Sequence, residues 1–588
     1  MTRLYIEHRK RIGAVVTGLV LSLMLLSGRL FYLQIVVNKE MEKKICAKST
    51  IEESVTAERG NIYDRTGLEL SQNITYYTFG VSLKNNDFDK DLIINLFAKT
   101  FQKEKSYYES ILNSKSNYVV LEKKVLEEKC FPIIFEKNNI RGLIIDSEQS
   151  RYYQYSDLAA QVIGYVNADK EGVIGVEKEF DSILKGDIGK KIYDRNGQND
   201  FITSPSKKQQ ILNNGADIQL TIDIELQSIL QDELEKTLNK RKAKSANGIL
   251  MNPFTGEVLA MASVPSFDLN SYGNYPVENH LNSAISYPYE PGSTFKIVTI
   301  SAALEAGDIP IDASYNCENG SYILYNHIFN DHEPSETLTL SEILIHSSNI
   351  GMAKIVTDIG SQLVFQYAKK FGFGAKTQIQ LPSEKQGTLR NFCEWENLSG
   401  PEVAIGQEIS TTTLQTAVAY SSIANGGYLL KPYIVSRIVN NGKTIQHSRT
   451  ENIRQVVSKN TSEDILLMLE ETVNTGTGNK AKIPGYRVSG KTSTAQKFVD
   501  GEYSQKEFIS SFAGIFPTDN PEFVCVVSVD SPQYGFHWGN ETAAPVVRRV
   551  FERIINLNDN LKHHNYNIVF ANYSQPESSS LSKFGVNR

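Results

Sequence analysis

The chain has 588 residues, 40% of them hydrophobic and 22% charged. That length exceeds one core at roughly 100 to 200 residues per domain, so at least two domains are expected. A formal charge of -6 and the lack of a concentrated basic stripe argue against nucleic acid as a partner.

Residues 1–11 hold Arg3, Arg9, Lys10 and Arg11 and read as a short cytoplasmic N-terminus. Residues 12–26 are free of charge and apolar character resumes over 30–37, so 12–37 reads as one transmembrane anchor, a bilayer needing ~20 apolar residues. The positive-inside rule puts everything after Val37 outside the cytoplasm. A cleaved signal peptide is the alternative, but residues 38–50 offer no convincing small-x-small cleavage site. Arg29 is read as snorkelling to the interface rather than contacting a membrane partner. Cys46, Cys130, Cys317, Cys393 and Cys525 form no C-x-x-C pair and have no histidines at zinc-ligand spacing, so no metal or cofactor is implied.

Residues 50–215 mix charged stretches read as helical, such as 107–126, with short β-like pieces and turns at Asp64-Arg65-Thr66-Gly67 and Asn196-Gly197. The turn signal at 213–217 marks the main domain boundary. A strand at 218–222, a helix over 224–242, and strands at 248–251 and 258–262 joined by Asn252-Pro253-Phe254-Thr255-Gly256 follow. Two more strands at 512–516 and 523–529 and a helix over 545–555 complete one α/β domain, 216–556, whose sheet gathers distant segments. The polar tail 557–588 is expected to be flexible.

Three polar motifs lie in this second domain. Glu290-Pro291-Gly292-Ser293-Thr294-Phe295-Lys296 opens a helix expected over 293–306 and stopped by Gly307, so Lys296 shares a face with Ser293. A serine hydroxyl is a weak nucleophile until a base takes its proton, and a lysine serves when burial and nearby cations keep it neutral. S-x-x-K alone is weak: Ser204-Pro205-Ser206-Lys207 and Ser580-Leu581-Ser582-Lys583 match it without the helix context. Next comes Ser347-Ser348-Asn349, in which Ser347 suits a proton relay and the Asn349 amide suits gripping a peptide bond by donor and acceptor together. The same triplet also suits capping a helix that begins near Ile350. Last, Lys491-Thr492-Ser493-Thr494 follows a turn and a short strand at 487–489. An edge strand there would pair with an extended peptide, with Thr492 and Thr494 on one side to bind a carboxylate.

In this order the motifs resemble the S-x-x-K, S-x-N and K-T-G set of the penicillin-recognising serine acyl-transferases. Residues 59–67, 172–177, 220–223 and 256–261 extend the resemblance to class B penicillin-binding proteins over nearly the whole chain. That family implies an α/β penicillin-binding transpeptidase fold: a five-stranded antiparallel sheet flanked by helices, plus an all-helical subdomain. It also implies an elongated α+β pedestal of dimerisation type over 50–215 and one N-terminal transmembrane helix. The implied reaction is D-Ala-D-Ala transpeptidation of peptidoglycan stem peptides. Ser293 is then the nucleophile and Lys296 its base, Ser347 and Lys491 relay protons, and Asn349 contacts the substrate amide. Thr492 and Thr494 hold the carboxylate, and the N–H groups of Ser293 and Thr494 form the oxyanion hole. β-Lactams are the implied covalent ligands.

The chain departs from the pattern at Ser493, where the family usually has glycine; a side chain there would crowd the groove or alter strand packing. The second motif and the K-T pair resemble septal, cell-division members more than elongation members. No glycosyltransferase domain precedes the pedestal, so a polytopic SEDS-type polymerase and other divisome membrane proteins are the implied partners. Among rivals, a β-lactamase needs water activation. Glu235-Lys236-Thr237-Leu238-Asn239 resembles the E-x-x-L-N motif of class A enzymes but precedes Ser293 and reads as ordinary helix. A β-lactam sensor or inactive scaffold is disfavoured by the short cytoplasmic portion and the intact motifs.

Overall fold

A computed structural model describes residues 2–37, 50–83, 88–195, 201–203, 213–307, 309–499, 501–559 and 561. The turn at Asn196-Gly197, Cys46, both S-x-x-K look-alikes and nearly all of the tail lie outside the described residues. By its internal contacts the chain forms two units. The first, Met1–Glu58 with Lys185–Gly215, contains α1 (Thr2–Phe31), which continues as a π-helix over Tyr32–Val37. Among the described residues one stretch, Ile6–Ile35, is long and apolar enough to cross a membrane. The unit also holds a three-stranded antiparallel sheet of Thr50–Thr56, Ile188–Arg195 and Phe201–Thr203.

The second unit, Arg59–Leu184 with Ala216–Arg588, holds both the rest of the pedestal and the motif-bearing domain. Its first sheet contains β1 (Ile62–Tyr63), β2 (Glu69–Ser82), β3 (Tyr118–Leu126) and β4 (Leu143–Tyr153), with the long β2 pairing all three others. Helices α2 (Lys90–Phe101), α3 (Lys105–Leu112) and α4 (Glu127–Glu136) pack Phe97, Tyr108 and Ile133 around Phe79 of β2. The helix expected over 107–126 is therefore corrected: α3 ends at Leu112 and β3 begins at Tyr118. The β-branched Val119-Val120 favours the pleat, and Val119, Leu121 and Val125 bury against the pedestal core while Lys123 and Lys124 stay exposed.

The sheet continues past the expected boundary near residue 215. β5 (Asp217–Leu220) pairs in parallel with β1, and Val435–Asn440 and Lys443–His447 extend it to seven strands. Buried Asp64 clamps the junction: its Oδ1 accepts from Thr66 N, Thr66 Oγ1 and Leu68 N at 2.8, 2.7 and 2.9 Å, and Arg65 N donates to Ile222 O at 2.8 Å. Nearby, the two sequence stretches 59–67 and 172–177 meet. Arg59 Nε donates to Glu177 Oε2 at 2.7 Å, and Arg151 Nε to Glu177 Oε1 at 2.8 Å, with the carboxylate fully buried. Glu177→Ala leaves both buried guanidiniums without the carboxylate they share. Its expected cost is about 3–5 kcal/mol of unfolding free energy, read as a lowered urea midpoint.

The second sheet comprises β6 (Ser245–Met251), β7 (Val258–Val264), β8 (Ser489–Val499), β9 (Glu502–Phe516) and β10 (Phe523–Asp530). The order is β7-β6-β10-β9-β8, antiparallel throughout, which makes β8 an edge strand. One face packs Leu230 and Leu234 of α5 (Ile224–Arg241) with Val547 and Phe551 of helix Ala544–Leu557. Glu235 to Asn239 lie within α5, as ordinary helix. The other face meets a larger core that includes α6 (Lys296–Ala306), α7 (Asn349–Ile359) and α8 (Thr413–Ala424). Every residue of α8 is buried, and a Thr412/Gln415 capping box starts it.

Candidate active site

The nucleophile's turn is held from both sides. Glu290 Oε1 accepts from Glu408 N at 3.1 Å and from the Tyr503 hydroxyl at 3.0 Å, and Gly292 N donates to Gly406 O at 3.0 Å. Gly292 has φ +51°, and a Cβ there would lie 2.4 Å from Ser493 Oγ, so conformation and space both demand glycine. The helix expected over 293–306 begins as a 3₁₀ turn, Gly292–Phe295, and becomes α6 at Lys296. It stops at Gly307 with φ +75°. The N–H of Ser293 belongs to this first turn, where backbone donors lack intrahelical partners.

The second motif meets this turn through Lys296. The fully buried amine donates to Ser347 O at 2.6 Å, Asn349 Oδ1 at 2.7 Å and Ser347 Oγ at 3.3 Å. Ser347 Oγ in turn donates to Ser293 Oγ at 3.0 Å. Two expectations change here. Among the described residues no hydrogen bond joins Lys296 Nζ to Ser293 Oγ; the path between them runs through Ser347. Asn349 does not offer its whole amide to a ligand either. Its Oδ1 takes the lysine and its Nδ2 donates to Asn330 O at 2.9 Å, which leaves one N–H free of that bond. Ser348 caps α7 by accepting from Gly351 N at 2.9 Å, so the triplet is cap and site at once.

Asp331 is a residue that sequence reasoning missed. Its Oδ2 accepts from Ser348 Oγ at 2.5 Å, and its Oδ1 from Asn349 N at 2.5 Å and Ile350 N at 3.0 Å. No local pattern around Asn330-Asp331-His332 marks it, because the contact is made only by the fold. Burial pushes the Lys296 amine down to about 7, against the opposing pull of the Asp331 charge. Burial, helped by the neighbouring Lys296 charge, holds Lys491 well below the usual lysine range. A base at neutral pH needs such depression.

The third motif lies within β8, in one longer strand than the short piece expected at 487–489. Lys491 is fully buried, and its Nζ contacts Thr477 Oγ1 at 3.4 Å. Thr492 Oγ1 donates to Thr477 Oγ1 at 3.2 Å, and Thr494 Oγ1 accepts from Gly539 N at 2.9 Å. Ser293, Ser347, Asn349, Thr492 and Thr494 line one cleft of about 330 Å³. His332 and Trp538 also line it, their ring centroids 4.5 Å apart. Among the described residues no group of three or more His, Cys, Asp or Glu is placed to hold a metal ion.

Ser493 lines the same cleft and packs against the nucleophile's turn. It is 2% exposed, its hydroxyl faces Gly292, and among the described residues that buried hydroxyl has no hydrogen-bond partner. An unpaired buried hydroxyl costs about 1–3 kcal/mol. Ser493→Ala is therefore expected to be neutral or to raise the unfolding midpoint, with acylation changed by less than about threefold, as checked by thermal denaturation and penicillin labelling.

The chain is similar to known proteins over most of its length. The model of the penicillin binding protein transpeptidase domain matches residues 247–552, and that of the penicillin-binding protein dimerisation domain matches 54–220. A peptidoglycan D,D-transpeptidase FtsI homolog of Mesostigma viride is 30% identical, over 92% of this chain and 96% of its own length. Stage V sporulation protein D of Bacillus subtilis is also 30% identical, over 92% and 85%. The crystal structure of penicillin binding protein 3 from Mycobacterium tuberculosis complexed with aztreonam superposes with a TM-score of 0.67 at 25% identity, covering 86% of this chain and 97% of that one. The chain therefore belongs to the penicillin-binding protein transpeptidase family, with that family's dimerisation domain ahead of the transpeptidase domain.

Proposed function

We propose that the chain is a serine D,D-transpeptidase that cross-links peptidoglycan stem peptides in septal wall synthesis. The observation that carries this reading is the hydrogen-bonded path Ser293–Ser347–Lys296 in a cleft walled by an edge strand. A stem peptide ending in D-Ala-D-Ala lies along β8, its terminal carboxylate at Thr492 and Thr494 and its amide at Asn349. As Ser293 Oγ bonds to the penultimate carbonyl carbon, its proton passes through Ser347 to Lys296. The N–H groups of Ser293 and Thr494 take the developing oxyanion. Ser347, backed by Lys491, returns a proton to the leaving nitrogen; the C–N bond breaks and free D-Ala departs. An amine of a neighbouring stem then attacks the ester carbon, forms the new amide and gives Ser293 back its hydroxyl. β-Lactams enter the same path and stop at the acyl-enzyme.

The FtsI homolog of Mesostigma viride supports the division assignment. Arg3, Arg9, Lys10 and Arg11 before the apolar helix support an anchor in the cytoplasmic membrane with its N-terminus inside and the cleft outside. The partners are then a SEDS-type polymerase that supplies glycan strands and other divisome membrane proteins. Depletion of the protein with microscopy tests the cellular role: filaments are expected, whereas round cells would assign it to elongation.

A further inference from the structure

Asp331 leaves the hairpin formed by Ser321–Leu324 and His327–Asn330, outside all three motifs, and its carboxylate points at the start of α7. The N–H groups there have no helical partners, and the helix dipole favours a negative charge beside them. Asp331 takes two of those N–H groups, on Asn349 and Ile350, and also the Ser348 hydroxyl. Ser347, immediately before, sits at φ +62°, in the left-handed region that non-glycine residues avoid. Such a conformation persists only where its surroundings over-determine it. Lys296 holds the Ser347 carbonyl from one side, and Asp331 holds the next three residues from the other.

We propose that Asp331 is a positioning residue for acyl transfer. By gripping Ser348, Asn349 and Ile350 it fixes the turn that presents Ser347 to both Ser293 and Lys296. Among the described residues no hydrogen bond joins it to the nucleophile or its base. Its charge has a second effect on the same site, because it favours the protonated form of Lys296 and opposes the depression that burial imposes. Geometry and charge are therefore both set from a residue that no motif contains. The inference rests on Ser293 being the acylated residue.

Asp331→Asn separates these effects. The amide oxygen still accepts the two backbone N–H groups, but the NH₂ cannot accept from Ser348 and the charge is gone. The second-order rate constant for acylation of the full-length protein by a fluorescent penicillin is expected to fall at least tenfold. The midpoint of its pH profile is expected to move to lower pH than in the wild type, because Lys296 loses its negative neighbour. Asp331→Glu restores the charge at a displaced position, so the midpoint returns toward wild type while the rate stays low. Ser348→Ala removes one of the three contacts and keeps the charge; a few-fold slower rate at an unchanged midpoint is expected. This variant carries the test should the asparagine variant fail to fold. Acylation within twofold of wild type in the folded asparagine variant, or in Ser348→Ala, would overturn the proposal, as would a slowed asparagine variant with an unmoved midpoint. A wild-type protein that forms no adduct would instead overturn the assignment of Ser293.

Discussion

Ser293→Ala eliminates the covalent adduct that a labelled penicillin leaves on the wild-type protein, and with it any release of D-Ala from a stem-peptide donor. Neither of the other serines that line the cleft among the described residues, Ser347 and Ser493, is placed to substitute. Ser347 sits at φ +62° with its hydroxyl between Ser293 and Lys296, and Ser493 is buried against Gly292. The variant keeps its fold, because the lost hydroxyl receives one hydrogen bond, from Ser347, a contribution of about 1 kcal/mol. Intact-mass spectrometry reads the adduct and thermal denaturation reads the fold. An adduct of unchanged mass in the alanine variant would place the chemistry elsewhere.

Lys296→Met has the second largest expected effect, a fall in acylation of about 10²–10⁴-fold, the range that general-base removal costs. Methionine fills most of the volume of the stem but offers no nitrogen to receive the proton arriving through Ser347. The wild-type enzyme carries a matching signature in pH. With the amine depressed to about 7 by burial, it is protonated and idle at low pH and free to accept at high pH. Acylation therefore rises with pH through about 7 and loses about tenfold per unit well below it. Stopped-flow labelling between pH 5 and 9 reads the limb, and a rate flat across that span would remove Lys296 from the role of base.

Much of the site was legible in the chain itself, because its parts are local. S-x-x-K is one turn of helix, Ser348 is the cap of the helix that follows it, and Lys491 to Thr494 is a run of four on a strand. The apolar runs that became β6, β7, β10 and the end of β9 were equally plain, since burial on both faces leaves little room for polar residues; the polar, largely exposed start of β9 at Glu502 was not. What escaped depends on pairing between distant segments. Asp331 meets α7 only after the hairpin before it has closed, and the sheet that joins β1 to β5 and to Val435–Asn440 draws strands from both sides of the second motif. β3 was misread because Glu122-Lys123-Lys124 gives a charged, helix-like composition to a strand with only one buried face. Ser347 was legible as a relay, but that it stands between Ser293 and Lys296 was not, for a related reason. Helical spacing places Lys296 on the same face as Ser293, but the tertiary fold turns its amine to the carbonyl of Ser347 and the amide of Asn349.

The central claim is that this cleft moves an acyl group from a D-Ala-D-Ala amide to an amine. Its most direct test gives the full-length wild-type protein a stem-peptide donor ending in D-Ala-D-Ala together with a stem peptide that carries a free acceptor amine, and weighs the products by mass spectrometry. One free D-Ala is expected for each donor–acceptor amide formed. Donor shortened by hydrolysis with no cross-linked product, or donor returned intact, would contradict it.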